Sequence, residues 1–302
     1  MRRNPGICRC ALLLVVFAAL SANLLAATPV DIFQDMESGH NGDPLSSAVM
    51  NASSHGGGAT WTVERGRMWV SVSHHRDLPG PVLVGGETFS GKGGSRSWAV
   101  NDSRAANYVV GSLPGSYAKL TVACHYIPGA TDVHPYNTFD HIVVLGDGVF
   151  MCMGLTYQGG DKGVGLNLAV ESCVEHYKSR NSPPIYPIVA GRAYWINMHF
   201  DGPAGVSYLA VYDADNGYAQ VGRTVQAASL KNSKLGRGVR IGRADSHGDN
   251  VGSTAKTYFD NIIIDYTQAA FPLIPGDGHK TPGEKQADPS PPRDSSSFTR
   301  GR

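Results

Sequence analysis

The sequence lacks a hydrophobic run long enough to cross a membrane. The apolar stretch Ala11–Ala22 is shorter than the roughly 20 residues that span a bilayer, and no later stretch reaches that length. An excess of charge of one sign is also lacking, because 26 Lys and Arg stand against 25 Asp and Glu, a formal net charge of +1. This balance does not indicate the basic surface that nucleic-acid binding requires. Neither a membrane span nor a nucleic-acid partner is therefore predicted.

Cysteine is scarce, and its spacing argues against a metal cluster. Five cysteines are present, and two of them, Cys8 and Cys10, lie in the first 27 residues, which leaves Cys124, Cys152 and Cys173. An odd set allows one internal disulfide at most, and without a Cys-x-x-Cys spacing zinc ligation is not predicted. Cys152 with Cys173 is the preferred pair if a disulfide forms. The alternative is that all three are small buried hydrophobic residues.

The first 27 residues have the pattern of a secretory signal peptide. Arg2 and Arg3 give a basic start, the apolar stretch Ala11–Ala22 follows, and Ala26 and Ala27 are small residues that suit cleavage. We therefore predict that the mature protein is secreted, either to the extracellular space or to the periplasm.

Amphipathic helical periodicity is missing from nearly the whole chain, whereas strand patterns are frequent. Tyr194–Asp201 and Val206–Asp213 are dense in β-branched and aromatic residues and flank a Gly-Pro turn, and Thr257–Asp265 repeats this pattern. Only Thr224–Leu230 has the composition of a short helix. Many such runs, separated by glycine and proline, predict an all-β fold, a two-sheet antiparallel jelly-roll sandwich.

A single domain is expected after the signal peptide. Sandwiches of this length are commonly one domain, so residues 28–274 are assigned to it. Beyond Pro275 the composition changes to Pro, Gly, Ser, Lys and Asp with few apolar residues. Such a segment cannot bury enough apolar surface to offset the entropy of ordering. Residues 275–302 are therefore predicted to form a disordered tail.

Several of the strand runs resemble the motifs of one superfamily. The opening strand carries Phe33 and Glu37, Tyr194–Ile196 is followed across a glycine turn by Leu209–Asp213, and Tyr258–Ile262 lies near the end of the domain. In these features most of the domain resembles the concanavalin A-like lectin/glucanase superfamily, including its laminin-G-like jelly rolls. The resemblance implies a curved two-sheet core. It also implies a function among lectins, carbohydrate-binding modules, adhesion domains, glycoside hydrolases and polysaccharide lyases.

The catalytic motifs that this resemblance implies are missing. Retaining glucanases of the superfamily carry Glu-x-Asp-x-x-Glu on one strand, because two carboxyl groups about 5–5.5 Å apart are required, and the chain has no such run. Asp35 and Glu37 share a face but lack the third acid, so they are interpreted as structural. The local signatures of the superfamily's lyases are absent too.

We therefore predict a secreted, non-catalytic domain that recognises a carbohydrate or an extracellular surface, with a polysaccharide or glycan as its ligand. Two alternatives stay open. One is a polysaccharide-degrading enzyme, a glucanase or a lyase with an unrecognised site, and the other is a structural extracellular or envelope protein. The oligomeric state is left open.

Four residues are candidates for ligand contact. Trp195, Asn197 and His199 alternate along one predicted strand and therefore share a face. On a concave face, Trp195 is expected to stack on a sugar ring while the other two form hydrogen bonds. His125, on another predicted strand, is the fourth candidate. The alternative is that Trp195 fills the core and the polar pair lies outside it.

Asp213 and Asp215 are the candidates for a metal site. They follow a predicted strand in the run Asp-Ala-Asp-Asn-Gly, and carboxylate oxygens are ligands that calcium prefers. The alternative is a turn, in which short acidic side chains bond to nearby backbone amides. Calcium is the one cofactor that the sequence suggests.

Overall fold

The structure, a computed structural model, describes residues 27–65, 68–100, 107–129, 139–146, 151–158, 165–172, 186–247 and 257–276. The strands up to residue 112 are β1 Thr28–Pro29, β2 Ile32–Gln34, β3 Ser54–Gly56, β4 Thr60–Arg65, β5 Met68–Val72, β6 Val82–Val84, β7 Glu87–Phe89, β8 Arg96–Val100 and β9 Asn107–Ser112. The later strands are β10 Lys119–Ile127, β11 Phe139–Leu145, β12 Met151–Gln158, β13 Gly165–Ser172, β14 Tyr186–Ile188, β15 Tyr194–Asp201, β16 Val206–Asp213, β17 Ala219–Gln220, β18 Val225–Ala228, β19 Gly238–His247 and β20 Thr257–Asp265. One helix, α1 Ser47–Ala52, and one turn of 3-10 helix, Ala214–Asn216, complete the described elements.

Two large sheets contain most of the strands. The seven-stranded sheet has the order β14-β13-β12-β11-β19-β9-β4, and the ten-stranded sheet has the order β17-β16-β15-β10-β20-β2-β3, with β18 on β16, β8 on β20 and β5 on β8. All pairs in both sheets are antiparallel. A small third sheet joins β1, β6 and β7. The predicted all-β fold, a two-sheet antiparallel jelly-roll sandwich, is confirmed.

The main core lies between the two large sheets. Alternate residues of each strand point into it, as the period of two requires; on β15 these are Ile196, Met198 and Phe200. Trp61 of β4 and Trp98 of β8 are fully buried in the same cluster. Residues between these inward positions face away from the sandwich, so each sheet has an outer face that something else must cover or leave open.

The two halves of strand β20 pair with different strands. Thr257–Phe259 pairs with β8, whereas Ile262–Ile264 pairs with β2. The register with β10 shifts between these halves, and Asn261 takes a left-handed φ of 50°. A bulge of this kind adds a residue and redirects side chains. We call this point of the ten-stranded sheet the fork.

Helix α1 protects the edge of the seven-stranded sheet. The side chain of Asn51 donates to the carbonyl of Trp61 at 2.9 Å and accepts from its N–H at 2.8 Å, and Ser47 Oγ accepts from the N–H of Val63 at 3.0 Å. These are backbone groups of edge strand β4 that would otherwise offer a template for another strand. The helix starts with Ser46 as its N-cap, whose side chain accepts from Val49 N–H.

One predicted element is wrong. Thr224–Leu230, expected to be helical, contains strand β18, which pairs with Val206–Leu209 of β16. Cross-strand pairing has overridden a weak local preference. Strands β1, β3, β7, β9, β14 and β17 and helix α1 were not predicted.

Several predictions fall on residues outside the described ranges. The signal peptide lies there, as do residues 277–302 of the predicted tail and the side chains of Cys152 and Cys173. Cys124 is described and is buried with a free thiol; burial raises the pKa of that thiol, so it stays protonated at neutral pH. Gly276, at the end of the described chain, donates to Thr28 Oγ1 at 3.2 Å. No helix in the described ranges is long and apolar enough to cross a bilayer.

Candidate functional site

The four candidate ligand residues lie together on the outer face of the ten-stranded sheet. Trp195, Asn197 and His199 occupy alternate positions of β15 that point away from the main core, and His125 is paired with Trp195 across β10 and β15. All four are buried, with exposed fractions of 0% for His125, Trp195 and Asn197 and 6% for His199. A second hydrophobic cluster, which includes Trp195, surrounds them.

The chain itself covers this face. In the C-terminal segment, residues 266–276, the carbonyl of Leu273 accepts from Trp195 Nε1 at 2.8 Å and its N–H donates to Asn197 Oδ1 at 2.8 Å. The ring of Phe271 stacks on His199 with centroids 5.2 Å apart. We call this surface the closed face. A ligand reaches Trp195, Asn197 and His199 only if the C-terminal segment leaves, whereas His125 lies under Tyr218 and His75. The role of all four in ligand binding stays a prediction.

His125 is the centre of a buried hydrogen-bond chain at the fork. The hydroxyl of Tyr218 donates to the carbonyl of Asp77 at 2.7 Å, and it has a single proton to give. His125 Nε2 therefore donates to Tyr218 Oη at 2.6 Å, and His125 Nδ1 accepts from Asn261 Nδ2 at 3.1 Å. Tyr218 and Asn261 both have a left-handed backbone, with φ of 60° and 50°. Strained positions of this kind concentrate at functional sites.

A second set of polar groups adjoins this chain. Ser73 Oγ donates to Asp260 Oδ2 at 2.8 Å, and the N–H of Asn261 donates to Asp260 Oδ1 at 2.7 Å. His75 stacks on His125 with centroids 5.3 Å apart, and its Nδ1 lies 3.6 Å from the Asp260 carboxylate. Among the described residues, neither His75 Nε2 nor Asn261 Oδ1 has a hydrogen-bond partner. We call His75, His125, Tyr218, Asp260 and Asn261 the fork cluster.

Burial dominates the electrostatics of the closed face. Desolvation lowers the pKa of His125 to about 3 and that of His199 to about 4, and it lowers the pKa of His75 well below its usual value. The same effect raises the pKa of Asp260 and of the Tyr218 phenol. The three imidazoles and the phenol are therefore neutral at neutral pH, and burial favours the protonated form of Asp260. The three imidazoles and Asp260 are also buried, so a bound substrate does not reach them in this conformation.

The fork cluster could not be assembled from local sequence signals. Its members come from a loop, two strands and the turn after Asn216, which are distant in the chain. One local signal exists, because Asp260 and Asn261 interrupt a run of β-formers, and these residue types are rare inside strands. That interruption marks the bulge, but it does not identify the histidines.

The two candidate metal ligands form ion pairs with arginine side chains of the chain itself. Asp213 accepts from Arg192 Nε at 2.9 Å and from the N–H of Asp215 at 3.1 Å. Asp215 accepts from Arg76 Nε at 2.8 Å and from the N–H of Ala193 at 2.9 Å. Two carboxylates already neutralised by two guanidinium groups do not fit a calcium site. No cluster of three or more metal-binding side chains is found in the described part of the chain. The calcium site thus gains no support and stays a prediction.

The outer face of the seven-stranded sheet differs from the closed face in the part that β4, β9 and β19 form. Val109 and Ile241 point into the main core, so their neighbours Tyr108 and Arg240 point outward. Both are half-buried, and Thr62 beside them on β4 is exposed. The guanidinium carbon of Arg240 lies 5.8 Å from the centroid of the Tyr108 ring, in cation–π range. We call this surface the open face.

Comparison with known proteins gives likenesses of fold. No protein-family model and no curated protein sequence matches the chain. Solved structures that it is similar to include a marine PL-14 alginate lyase from Aplysia kurodai, at 10% identity and a TM-score of 0.39 over 56% of this chain and 82% of the lyase. Peanut lectin matches at 11% identity and a TM-score of 0.35, over 65% of this chain and 95% of the lectin.

Lectin II from Ulex europaeus matches at 8% identity and a TM-score of 0.38, over 67% of this chain and 99% of the lectin. Lectins are thus among the structures that the chain resembles, as the resemblance of its strand motifs to the concanavalin A-like superfamily predicts. At TM-scores below 0.5 these likenesses carry no argument about what the chain does.

Proposed function

We propose that this chain is a secreted, non-catalytic protein that recognises a carbohydrate through the open face. The observation that carries the proposal is the Tyr108–Arg240 pair, which stands outward on two inner strands of the seven-stranded sheet. An aromatic ring offers an apolar surface to the flat side of a sugar, and a guanidinium next to it fixes orientation by hydrogen bonds. Few convergent polar groups on a largely apolar surface are typical of ligand sites.

The state of the acidic and imidazole groups supports a role without catalysis. Asp213 and Asp215 are paired with arginines, and Asp31 and Asp265 accept backbone N–H groups of the C-terminal segment. The histidines of the closed face are buried and neutral. None of these groups presents an ionised carboxylate pair to solvent, which glycoside hydrolysis needs.

The test is a glycan array together with retention on insoluble polysaccharides, using the full mature chain. We expect at least one glycan to be retained, and we expect Tyr108→Ala to weaken its binding by about ten-fold, because a stacked ring contributes up to about 1.5 kcal/mol. Val189→Ala is the control, because Val189 is 60% exposed and follows β14, the edge strand on the other side of the sheet from β4. Uniform silence on the array would remove the proposal.

The hydrogen bond between Tyr218 and His125 favours a second candidate, a polysaccharide-degrading enzyme. A phenol next to an imidazole is a possible route for a proton if the cover of the fork opens. Release of reducing ends or of unsaturated uronates by the wild type, abolished in Tyr218→Phe, would support this candidate. Binding without any product over hours would leave recognition as the function.

A further inference from the structure

We propose that Arg240 and Tyr108 form a subsite for the acidic group of a polysaccharide, a carboxylate or a sulfate. This inference rests on the proposed function, and it adds the chemical class of the ligand. The chemistry is shared by the two anions, because the guanidinium fork binds either one through two parallel N–H groups.

The strand register shows that Arg240 stands next to no acidic residue. Its partners across β9 and β11 are Val110 and Val144. Its neighbours on the same face of β19 are Gly238 and Gly242, and Tyr108 lies diagonally across β9. A cation on an inner strand is thus surrounded by apolar residues, glycine and one aromatic ring.

The two glycines add no side chain beside the guanidinium. Neither places a side chain on the open face, and glycine inside a strand often marks a point of close approach by a ligand. Gly242 also has a φ of 119°, a conformation that glycine adopts without strain. The Tyr108 ring, which pairs with Gly242 across β9, lies in cation–π range of the guanidinium. Arg240 itself is partly exposed, so an anion approaches its fork from the solvent side.

Three other basic residues of the described chain are neutralised by aspartates. Arg192 pairs with Asp213, Arg76 Nε lies 2.8 Å from Asp215, and Lys119 Nζ lies 2.8 Å from Asp201. Within the described residues Arg240 has no such ion pair; its described contact is the Tyr108 ring. An unpaired, partly desolvated cation binds an anion more strongly than a paired one does. The net charge of +1 provides no general attraction, so binding of an acidic polymer has to come from a local site.

The experiment compares polymers that share a backbone and differ in charge. The probes are dextran, carboxymethyl-dextran and dextran sulfate, with polygalacturonate and highly methyl-esterified pectin as a second matched set. Affinity of the full mature chain is measured by affinity electrophoresis and calorimetry at fixed salt. We expect an acidic polymer to bind at least ten-fold more tightly than its neutral counterpart. The carboxymethyl and sulfate forms distinguish the two anions.

Two substitutions then locate the charge. Arg240→Gln should reduce the affinity for the acidic polymer by about ten-fold or more, as loss of a charge-assisted hydrogen bond does. Arg240→Lys keeps the charge but not the planar fork, and it should bind with intermediate affinity. Arg237→Gln is the matched control, because it removes the same charge from an exposed position near the start of β19. It should leave the affinity unchanged.

The outcomes separate this inference from the proposed function. Equal binding of neutral and acidic polymers, or the same small loss in Arg240→Gln and Arg237→Gln, overturns the acidic subsite and leaves carbohydrate recognition standing. Absence of binding to every polymer and to the glycan array overturns both. A thermal unfolding midpoint of Arg240→Gln close to that of the wild type shows that the comparison is between folded proteins.

Discussion

The two outer faces of the sandwich are built by the same alternation of residues, yet they differ in what covers them. On the closed face, Trp195 and Asn197 bind the backbone of Leu273, and no part of their side chains reaches solvent. On the open face, Tyr108 and Arg240 meet each other and remain partly exposed. An aromatic residue next to polar ones is therefore buried on one sheet and partly exposed on the other.

The difference shows that a strand pattern defines a face but not its exposure. Trp195, Asn197 and His199 do share a face, as alternation requires. The C-terminal segment decides that this face is interior. The residues that the sequence selects for ligand contact thus lie beneath the C-terminal segment, and their role stays a prediction, whereas the partly exposed pair was not selected.

The largest expected effect is the cost of truncating the aromatic residue on each face. Trp195→Ala removes a fully buried indole and leaves the carbonyl of Leu273 without its donor, so we expect a loss of about 3–5 kcal/mol in the free energy of unfolding. Tyr108→Ala should cost about 1 kcal/mol or less, because the ring is only half-buried. Urea unfolding of both variants measures the contrast. Similar losses for the two would contradict the distinction between the faces.

The pH dependence of stability should come from the closed face. His75, His125 and His199 are neutral there, with a folded pKa of about 3 for His125 and about 4 for His199, against about 6.5 in the unfolded chain. Their contribution to the free energy of unfolding is complete above pH ~6.5. It decreases as the pH falls toward the folded pKa values, by up to about 1.4 kcal/mol per pH unit for each histidine. Acid is therefore expected to destabilise the protein.

The carboxyl group of Asp260 has the opposite effect on the pH dependence of stability. Its folded pKa is raised, so its contribution is complete below the unfolded value near 3.9 and decreases as the pH rises. Because three histidines act against one aspartate, we expect a net decrease in the free energy of unfolding from pH 7 to pH 5. Urea unfolding across this range measures it. His199→Gln should flatten the dependence of stability on pH. His40→Gln, which changes a side chain that is 89% exposed, should leave it unchanged. A flat profile in the wild type would show that the histidines are not buried.

Much of the fold was predictable because its strongest strands carry their signal locally. Tyr194–Asp201 and Val206–Asp213 are long, rich in β-formers and joined by a glycine turn, and they pair as β15 and β16 over their whole length. Strand β18 carries no such signal: Val225–Ala228 is short and contains two alanines, and it becomes a strand through its partner β16. Local preference decides the long elements, and pairing decides the short ones.

The candidate sites were less predictable because they depend on contacts between distant parts of the chain. Tyr108 and Arg240 become neighbours only through the pairing of β9 with β19. His75 and Tyr218 reach His125 only when two loops fold over the fork. Alternation places a side chain on one side of a strand, but it does not say which strands are adjacent or which loop covers them.

The last and smallest expected effect on stability comes from a substitution in the loop that covers the fork. A Cβ on Gly91 would lie 2.2 Å from Asn261 Oδ1 and 2.6 Å from Leu78 Cδ1, inside contact distance. Gly91→Ala should therefore cost about 1–3 kcal/mol through overpacking. Gly115→Ala is the matched control, because its Cβ would meet Tyr117 Oη at an ordinary 3.4 Å. Thermal unfolding of both variants compares them. Equal midpoints would mean that the loop over the fork moves aside at little cost, and the fork cluster would then belong with the open face as a surface that a ligand reaches.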